Sequence, residues 1–204
     1  MSQKDMWLIE KKYLDQGCRY ICGVDEAGRG PLAGPVCAAA VILPAGIDIP
    51  GLDDSKKLTD KRRRELFPII QKEALAYGIA FADEKEIDNI NILQATFLAM
   101  ERAISQLDIK PDVALIDGNR EKDFGIPVET VIHGDSLSAS IAAASILAKV
   151  TRDDYMLEMA EQHPGYGFEV HKGYGTKAHY AALLEKGPCP IHRMTFLKKL
   201  YGEK

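Results

Sequence analysis

Short apolar runs that end in acidic residues divide this 204-residue chain. The first run covers residues 20–24 and is followed at once by Asp25 and Glu26. A glycine-arginine-glycine turn at 28–30 then leads into a second apolar run at 36–43. Short apolar runs bounded by turn residues are typical of buried strands. The brief connection between them predicts an antiparallel pair.

Helices and strands alternate along the rest of the chain. The predicted strands lie at 77–82, 113–117 and 128–132. The predicted helices lie at 2–16, 60–76 with Thr59 as N-cap, 92–107, 136–162, 178–186 and 195–201. Polar residues at 83–91 predict a turn, and 165–175 predicts a loop rich in glycine. Helices that cross between strands indicate the α/β class with a mixed sheet.

Three strand-like segments end in acid, at Asp25 with Glu26, at Asp117 and at Asp135. Strand ends at one edge of an α/β sheet can converge even when they are distant in sequence. Four carboxylates at one point repel one another unless a cation neutralises them, and all-oxygen ligands select Mg²⁺ or Mn²⁺. We therefore expect two such ions, about 3.5–4 Å apart, that clamp a phosphodiester.

An alternative interpretation is that these acids only mark points where strands reach solvent, with Asp135 near a helix cap. Adjacent strand residues also point to opposite faces of a sheet. Asp25 and Glu26 therefore reach one site only if the strand ends or bulges there, or if one of them offers its backbone carbonyl. Because a glycine-rich turn follows, we expect the strand to end at this point.

The charge distribution favours a polyanionic partner, although the net charge is −4. Segments 55–72 and 171–204 each contain seven basic and two acidic residues, a local charge of +5. Such patches on an acidic protein are typical of nucleic-acid binding. Within the second segment, Tyr174 lies between two glycines beside Lys172, which suits stacking on a nucleotide. The alternatives are a solvated helix face at 61–64 and a tight turn with a surface tyrosine.

Several other classes of protein do not fit the sequence. The N-terminus lacks a signal-peptide apolar segment, and the longest apolar run is far below the roughly 20 residues that span a bilayer, so we expect a soluble, cytoplasmic protein with no membrane association. The 28–34 turn fails the dinucleotide pattern, and neither a phosphate-binding lysine loop nor a Gly-x-Ser-x-Gly motif is present. The histidines at 163, 171, 179 and 192 are interpreted as loop residues rather than metal ligands. A monomer is the default expectation.

Six blocks of the sequence together resemble a known family. They are 23–36 (GVDEAGRGPLAGPV), 54–58 (DSKKL), 117–118 (DG), 134–135 (GD), 144–153 (ASILAKVTRD) and 171–176 (HKGYGT). In this order they resemble bacterial ribonuclease HII, the type 2 ribonuclease H, and the resemblance covers residues 20–196.

The resemblance implies an RNase H-like α/β fold, a mixed sheet flanked by helices with a basic C-terminal helical extension. It implies a catalytic domain at 1–163 and a substrate-gripping loop with the helical extension at 164–204. It also implies an endonuclease that hydrolyses the RNA strand of RNA/DNA hybrids and cuts 5′ of single ribonucleotides in duplex DNA, leaving 3′-hydroxyl and 5′-phosphate ends. A sliding clamp is left open as a partner.

The resemblance also implies a role for each candidate residue. The acidic metal site, for two Mn²⁺ or Mg²⁺ ions, would be Asp25, Glu26, Asp117 and Asp135. The residues that contact the ribonucleotide 2′-hydroxyl, largely through backbone, would be Gly28, Arg29 and Gly30. Tyr174 would sense the RNA–DNA junction, and Lys56 and Lys57 would hold phosphates. Two alternatives stay open, another nuclease with this fold and a non-catalytic nucleic-acid-binding module.

Overall fold

A five-stranded mixed sheet lies at the centre of the computed structural model, which describes residues 5–202. The strands are β1 (Ile21–Ala27), β2 (Val36–Ile42), β3 (Ala76–Ala82), β4 (Val113–Asp117) and β5 (Val128–Val131). Their order is β3-β2-β1-β4-β5. The β1–β2 and β2–β3 pairs are antiparallel, and the β1–β4 and β4–β5 pairs are parallel. The predicted mixed sheet and the antiparallel pair of the first two strands are confirmed.

The first strand does not end where the sequence predicts. β1 continues through Asp25 and Glu26, and its pairing with β2 runs without a bulge to Ala27 opposite Cys37. Its pairing with β4 stops at Val24 opposite Ile116. The predicted strand end before Asp25 is therefore wrong, because it is the neighbouring strand that stops. Beyond Val24, one edge of β1 is open.

Seven helices surround the sheet in the described part of the chain. They are α1 (Leu8–Leu14), α2 (Asp60–Glu73), α3 (Glu84–Ser105), α4 (Ala139–Gln162), α5 (Phe168–His171), α6 (Lys177–Lys186) and α7 (Met194–Tyr201). A single 3₁₀ turn, Gly134–Ser136, precedes α4. Thr59 caps α2 as predicted, since its side chain accepts a hydrogen bond from the Arg62 N–H. The first residues of the helix predicted over 2–16 lie outside the described residues.

The start of α3 corrects the turn predicted over 83–91. Asp83 and Glu86 form a reciprocal capping box, which begins the helix eight residues earlier than the hydrophobic period indicates. Asn91 interrupts the helix with φ 68°, and its side chain accepts hydrogen bonds from the N–H groups of Leu93 and Gln94. The predicted start at 92 is thus the start of the second half of a kinked helix.

The loop predicted over 165–175 contains a short helix, α5. Gly167 precedes α5 and Lys172 follows it, both with left-handed backbone. One turn of helix between two such residues is too short to show a period of 3.6 in the sequence. Phe168, its first residue, is fully buried and fixes the segment against the protein.

The two faces of the sheet are covered by different helices. α3 packs on β1, β2 and β3 through one core cluster, and α2 and α4 pack on the other face through a second. α4 lies so close to β1 that a Cβ atom at Gly23 would come within 2.1 Å of the Ser140 carbonyl carbon. The small residues of α4, among them Ala142 and Ala143, allow this approach, as the sequence predicts.

The last three helices pack on the distal half of α4. Met156 and Met159 of α4 form an apolar cluster with Phe168, Leu183 and Leu197. The basic C-terminal helices are therefore attached to the sheet through α4. Within residues 5–202, no helix combines the length and apolar composition needed to cross a bilayer.

Replacing Gly23 by Ala tests the close packing of α4 on β1. We expect G23A to lower the free energy of unfolding by about 2–3 kcal/mol, because the new methyl group must push the backbone of α4 away. Chemical denaturation of the variant and the parent measures the difference. An unchanged unfolding midpoint would contradict the packing described here.

Candidate active site

Three carboxylates from three separate elements meet beside the open edge of β1. Asp25 comes from β1, Asp117 from the last position of β4, and Asp135 from the 3₁₀ turn. Each contributes an oxygen, and these three oxygens lie within 4.8 Å of one another. Asp25 and Asp135 are buried, and Asp117 is partly exposed. The convergence expected from the sequence is present for these three acids.

The turn that carries Asp135 is anchored to the end of β4. The Gly134 N–H donates to the Asp117 carboxylate over 2.7 Å. A Cβ at Gly134 would come within 2.5 Å of Cδ1 of Ile141, so a larger residue here would displace that side chain. The helix cap that follows is Ser138, whose hydroxyl accepts from the Ile141 N–H. Asp135 thus lies near a helix cap, as the alternative interpretation has it, but it is not the cap itself, and its carboxylate meets those of Asp25 and Asp117.

Glu26 lies on the same cavity as Asp25 and Asp117. This cavity has a volume of about 260 Å³. Since β4 no longer flanks β1 at this level, consecutive residues of β1 reach the cavity although they leave opposite faces of the strand. The Glu26 carboxylate also pairs with the Arg29 guanidinium at 3.4 Å.

The acidic cluster is strongly unfavourable as a set of bare charges. Burial raises the pKa of Asp25 well above its usual value, and repulsion from Glu26 and Asp117 adds to the effect. Burial likewise raises the pKa of Glu26 and of Asp135. A cation at this point relieves the repulsion, and an all-oxygen donor set fits a hard divalent ion. The residues present therefore fit the metal site expected from the sequence.

Basic residues surround the acids, but only one predicted lysine faces them. The Lys56 ammonium lies 3.1 Å from the Asp135 carboxylate, and its side chain lines the cavity. Lys57 points elsewhere and pairs with Asp53 at 3.5 Å and Asp54 at 3.7 Å. The structure thus places Lys56 at the site and Lys57 outside the cavity.

The remaining predicted residues form the opposite wall of the cavity. Gly28, Arg29, Gly30 and Tyr174 all line it. A Cβ at Gly30 would lie 3.6 Å from the Tyr174 ring, so the turn and the tyrosine are direct neighbours. The N–H groups of Arg29 and Gly30 make no hydrogen bond within the described residues. They are therefore free to donate to a ligand in the cavity.

Comparison with known proteins identifies the family. The sequence model of one family, Ribonuclease HII, matches residues 22–199. The chain belongs to the ribonuclease HII family. Ribonuclease HII of Caldicellulosiruptor bescii is 56% identical over 192 residues, which cover 94% of this chain and 93% of the relative. The alternative of a non-catalytic binding module is thereby wrong.

Solved structures carry the same fold. Ribonuclease H2 of Pyrococcus horikoshii superimposes with a TM-score of 0.72 at 26% identity, covering 91% of this chain and all of that one. The RNase HII in a PCNA complex from Archaeoglobus fulgidus gives 0.68 at 25% identity and covers 86% and 94%. This ribonuclease HII is a metal-dependent endonuclease that hydrolyses the RNA strand of RNA/DNA hybrids.

Two buried arginines, which the sequence analysis did not single out, hold the glycine-rich turn of this ribonuclease HII. The Arg193 guanidinium donates to the carbonyls of Gly28 at 2.6 Å, Arg29 at 2.9 Å and Gly34 at 2.8 Å. The planar fork of arginine suits several acceptors at once. Because these carbonyls face Arg193, the turn is fixed from behind.

Arg152 gives the same kind of support to the loop that carries Tyr174, residues 172–176 (the Tyr174 loop). Its guanidinium donates to the carbonyls of Ala33, Pro35 and Lys172. A Cβ at Gly28, which has φ +98°, would lie 1.9 Å from the Arg152 Nε, so only glycine fits beside it. Neither Arg152 nor Arg193 makes a salt bridge within the described residues. Burial and the neighbouring Arg152 lower the pKa of Arg193 to about 9.

The sequence did carry a signal for Arg152. It lies four residues from Ala148 and from Met156, and both are buried on the same face of α4. A charged residue in the middle of a buried helical face requires polar partners, which here are backbone carbonyls. Arg193 lies in an irregular segment and offered no such periodicity.

Substitution of Arg193 by Lys keeps the positive charge but removes the planar, forked guanidinium. We expect R193K to lower the free energy of unfolding by about 2 kcal/mol and kcat/KM on a hybrid by about tenfold, because lysine cannot serve three carbonyls in fixed directions. Denaturation and steady-state cleavage measure the two effects. The control is R102K, since Arg102 also donates to a strand carbonyl, that of Phe81, but does not line the cavity. Equal losses in both variants would contradict a special role for Arg193.

Proposed function

We propose that this ribonuclease HII cuts 5′ of single ribonucleotides embedded in duplex DNA, in addition to cleaving hybrids. Cleavage by two-metal-ion catalysis would leave 3′-hydroxyl and 5′-phosphate ends. The observation that carries the proposal is the cavity lined jointly by three of the acids (Asp25, Glu26 and Asp117), the 28–30 turn and Tyr174, with Asp135 next to Asp25 and Asp117. One side of this cavity suits phosphodiester hydrolysis, and the other suits recognition of one sugar.

The proposed metal site is Asp25, Glu26, Asp117 and Asp135. Two Mg²⁺ or Mn²⁺ ions held there would activate water and stabilise the charge on the leaving oxygen. The chain itself contributes the rigid placement of the carboxylates, through β1, β4 and the anchored 3₁₀ turn. Lys56 has a side chain that is 74% exposed, so its ammonium can leave Asp135 and hold a phosphate.

Recognition of the ribonucleotide is proposed for the opposite wall. The N–H groups of Arg29 and Gly30 point to no partner within the described chain, and Arg193 fixes the peptides that carry them. The 2′-hydroxyl both donates and accepts, and it is the group that separates RNA from DNA. Tyr174, whose side chain is exposed beside Gly30, would pack on the deoxyribose that follows the ribonucleotide.

The roles of the remaining regions are also proposals. The division into a catalytic part at 1–163 and a substrate-gripping part at 164–204 agrees with the position of Tyr174 in the second part. A sliding clamp is kept as a proposed partner, on the likeness to the Archaeoglobus fulgidus protein seen in a complex with PCNA. A monomer and a cytoplasmic location remain predictions from the sequence.

A duplex with one embedded ribonucleotide tests the reaction and the acids together. We expect cleavage with Mn²⁺ or Mg²⁺ and none with EDTA, and loss of at least about a thousandfold in activity in D25N or D117N. D25N should unfold at a temperature no lower than the parent in EDTA, because one buried repelling charge is removed. Gel analysis of the cut site and ends gives the readout.

The control variant for this experiment is D53N, which removes an exposed carboxylate outside the cavity. It should retain parental activity. A matched all-deoxy duplex should stay intact, and its cleavage would favour another nuclease of the same fold. Full activity of purified D25N or D117N would refute the metal role of these acids.

Replacing Tyr174 by Ala tests junction recognition. We expect Y174A to lose about tenfold or more in kcat/KM at a lone ribonucleotide and much less on a long hybrid. The reason is that a deoxyribonucleotide follows immediately only at the lone ribonucleotide. The control is Y77A, which removes a tyrosine of similar exposure on β3, 38% against 44% for Tyr174. Equal loss on both substrates would count against the proposed role.

A further inference from the structure

A buried histidine pair lies directly behind the Tyr174 loop. His179 belongs to α6, and His192 lies in the segment before α7. His179 is fully buried and His192 is 2% exposed. Their Nε2 atoms are 3.0 Å apart, so one ring donates a hydrogen bond to the other. The interpretation of His179 as a loop residue is wrong, because it is a buried helical residue.

The pair is connected at both ends to the backbone. At one end, the Cys189 N–H lies 2.9 Å from Nδ1 of His192. At the other end, Nδ1 of His179 lies 2.9 Å from the Tyr174 carbonyl oxygen. The four groups form one continuous line of hydrogen bonds from the segment before α7 to the exposed tyrosine.

The Tyr174 end fixes the direction of this line. A carbonyl oxygen only accepts, so His179 must carry its proton on Nδ1 and accept at Nε2. His192 must then donate from Nε2 and accept at Nδ1. The Cys189 N–H, which only donates, fits this arrangement of His192, although Nδ1 also lies 3.1 Å from the Cys189 Sγ and 3.2 Å from the Cys189 carbonyl oxygen. The Tyr174 carbonyl therefore assigns one tautomer to each neutral ring.

The surroundings keep both rings neutral and immobile. Burial lowers the pKa of His179, and it lowers the pKa of His192 to about 4. The fully buried Phe168 packs its ring against both histidines, at centroid distances of 5.4 Å and 5.7 Å. His171 stacks on His179 at 4.5 Å. A tightly packed pair of this kind can hold the Tyr174 carbonyl in one position.

The Tyr174 peptide is the point of the loop that this line controls. Its N–H donates to the His171 carbonyl at 2.9 Å, and its carbonyl also accepts from the Thr176 N–H at 2.8 Å. These two bonds lie within the loop itself. The hydrogen bond from His179 ties the Tyr174 carbonyl to α6, a helix that begins beyond the loop, and so bears on where the tyrosine ring lies beside Gly30.

We propose that His179 and His192 are positioning residues for ribonucleotide recognition. The directed line from Cys189 through His192 and His179 to the Tyr174 carbonyl holds the tyrosine at the angle that the RNA–DNA junction requires. This inference rests on the proposed role of Tyr174. Neither histidine lines the cavity, so the effect is transmitted through the backbone of residue 174.

A matched pair of substitutions separates the hydrogen bond from the packing. H179N and H179L remove the same ring and have nearly the same shape. The asparagine amide can still donate from the position of Nδ1, and leucine cannot. At a lone ribonucleotide we expect kcat/KM of H179L to be about fivefold below that of H179N, the loss expected for one hydrogen bond. On a long hybrid the two variants should be equal. Equal kcat/KM values at the lone ribonucleotide would overturn the proposal.

The same pair in the Y174A background tests whether the effect passes through the tyrosine. The ratio of kcat/KM between H179N and H179L should then fall to about one at a lone ribonucleotide. A ratio that persists without the tyrosine ring would overturn the proposal. If Y174A alone loses the same factor in kcat/KM on both substrates, the junction role of Tyr174 is refuted. The kcat/KM ratio of H179N to H179L then shows separately whether the hydrogen bond from His179 affects cleavage.

A spectroscopic measurement on the unaltered protein covers the case in which H179L does not fold. Imidazole ¹⁵N–¹H correlation spectra distinguish the two tautomers of each histidine. We expect His179 protonated at Nδ1 and His192 protonated at Nε2, both neutral at pH 7. A His179 protonated at Nε2 would break the line at the Tyr174 carbonyl and overturn the inference without reference to activity.

Discussion

The unequal length of two neighbouring strands determines the position of the clustered acids. β1 continues to Ala27 along β2, whereas β4 leaves it at Val24. At that step the sheet changes from a closed surface to an open edge, and Asp25 and Glu26 lie immediately beyond it. A carboxylate two residues earlier would be enclosed by strands on both sides, where its charge could not be compensated. The acidic site therefore depends on where hydrogen bonding between two strands stops.

Charges of opposite sign lie on the two sides of one short turn. On the cavity side are the carboxylates, and behind the turn are the guanidiniums of Arg152 and Arg193, whose partners are backbone carbonyls. Carbonyls that accept from a cation leave their peptides polarised, with the N–H ends directed away from it. The turn is thereby prepared to donate hydrogen bonds toward the cavity. The same buried cations add positive potential to a surface that faces a polyanion.

The sequence predicts most of the sheet and the acids, because both are encoded locally. Apolar runs bounded by turn residues specify strands, and Asp117 follows one such run directly while Asp135 follows another after His133 and Gly134. The kinked start of α3 was missed although Asp83 and Glu86 form a visible capping pair, because the break at Asn91 interrupts the helical period. Arg193 and its acceptor at Gly28 are 165 residues apart, and no local pattern joins them. The histidine pair was missed for the same reason, since its partners meet only through tertiary packing.

The late position of the segment from Cys189 to Arg193 in the chain affects the order in which the enzyme folds. It supplies both Arg193, which holds the 28–30 turn, and His192, which belongs to the line behind Tyr174. It also follows every strand of the sheet in chain order. During synthesis from the N-terminus, the acids can assemble before this segment leaves the ribosome, whereas the supports of the 28–30 turn and of the Tyr174 carbonyl cannot. The growing polypeptide therefore completes these supports last.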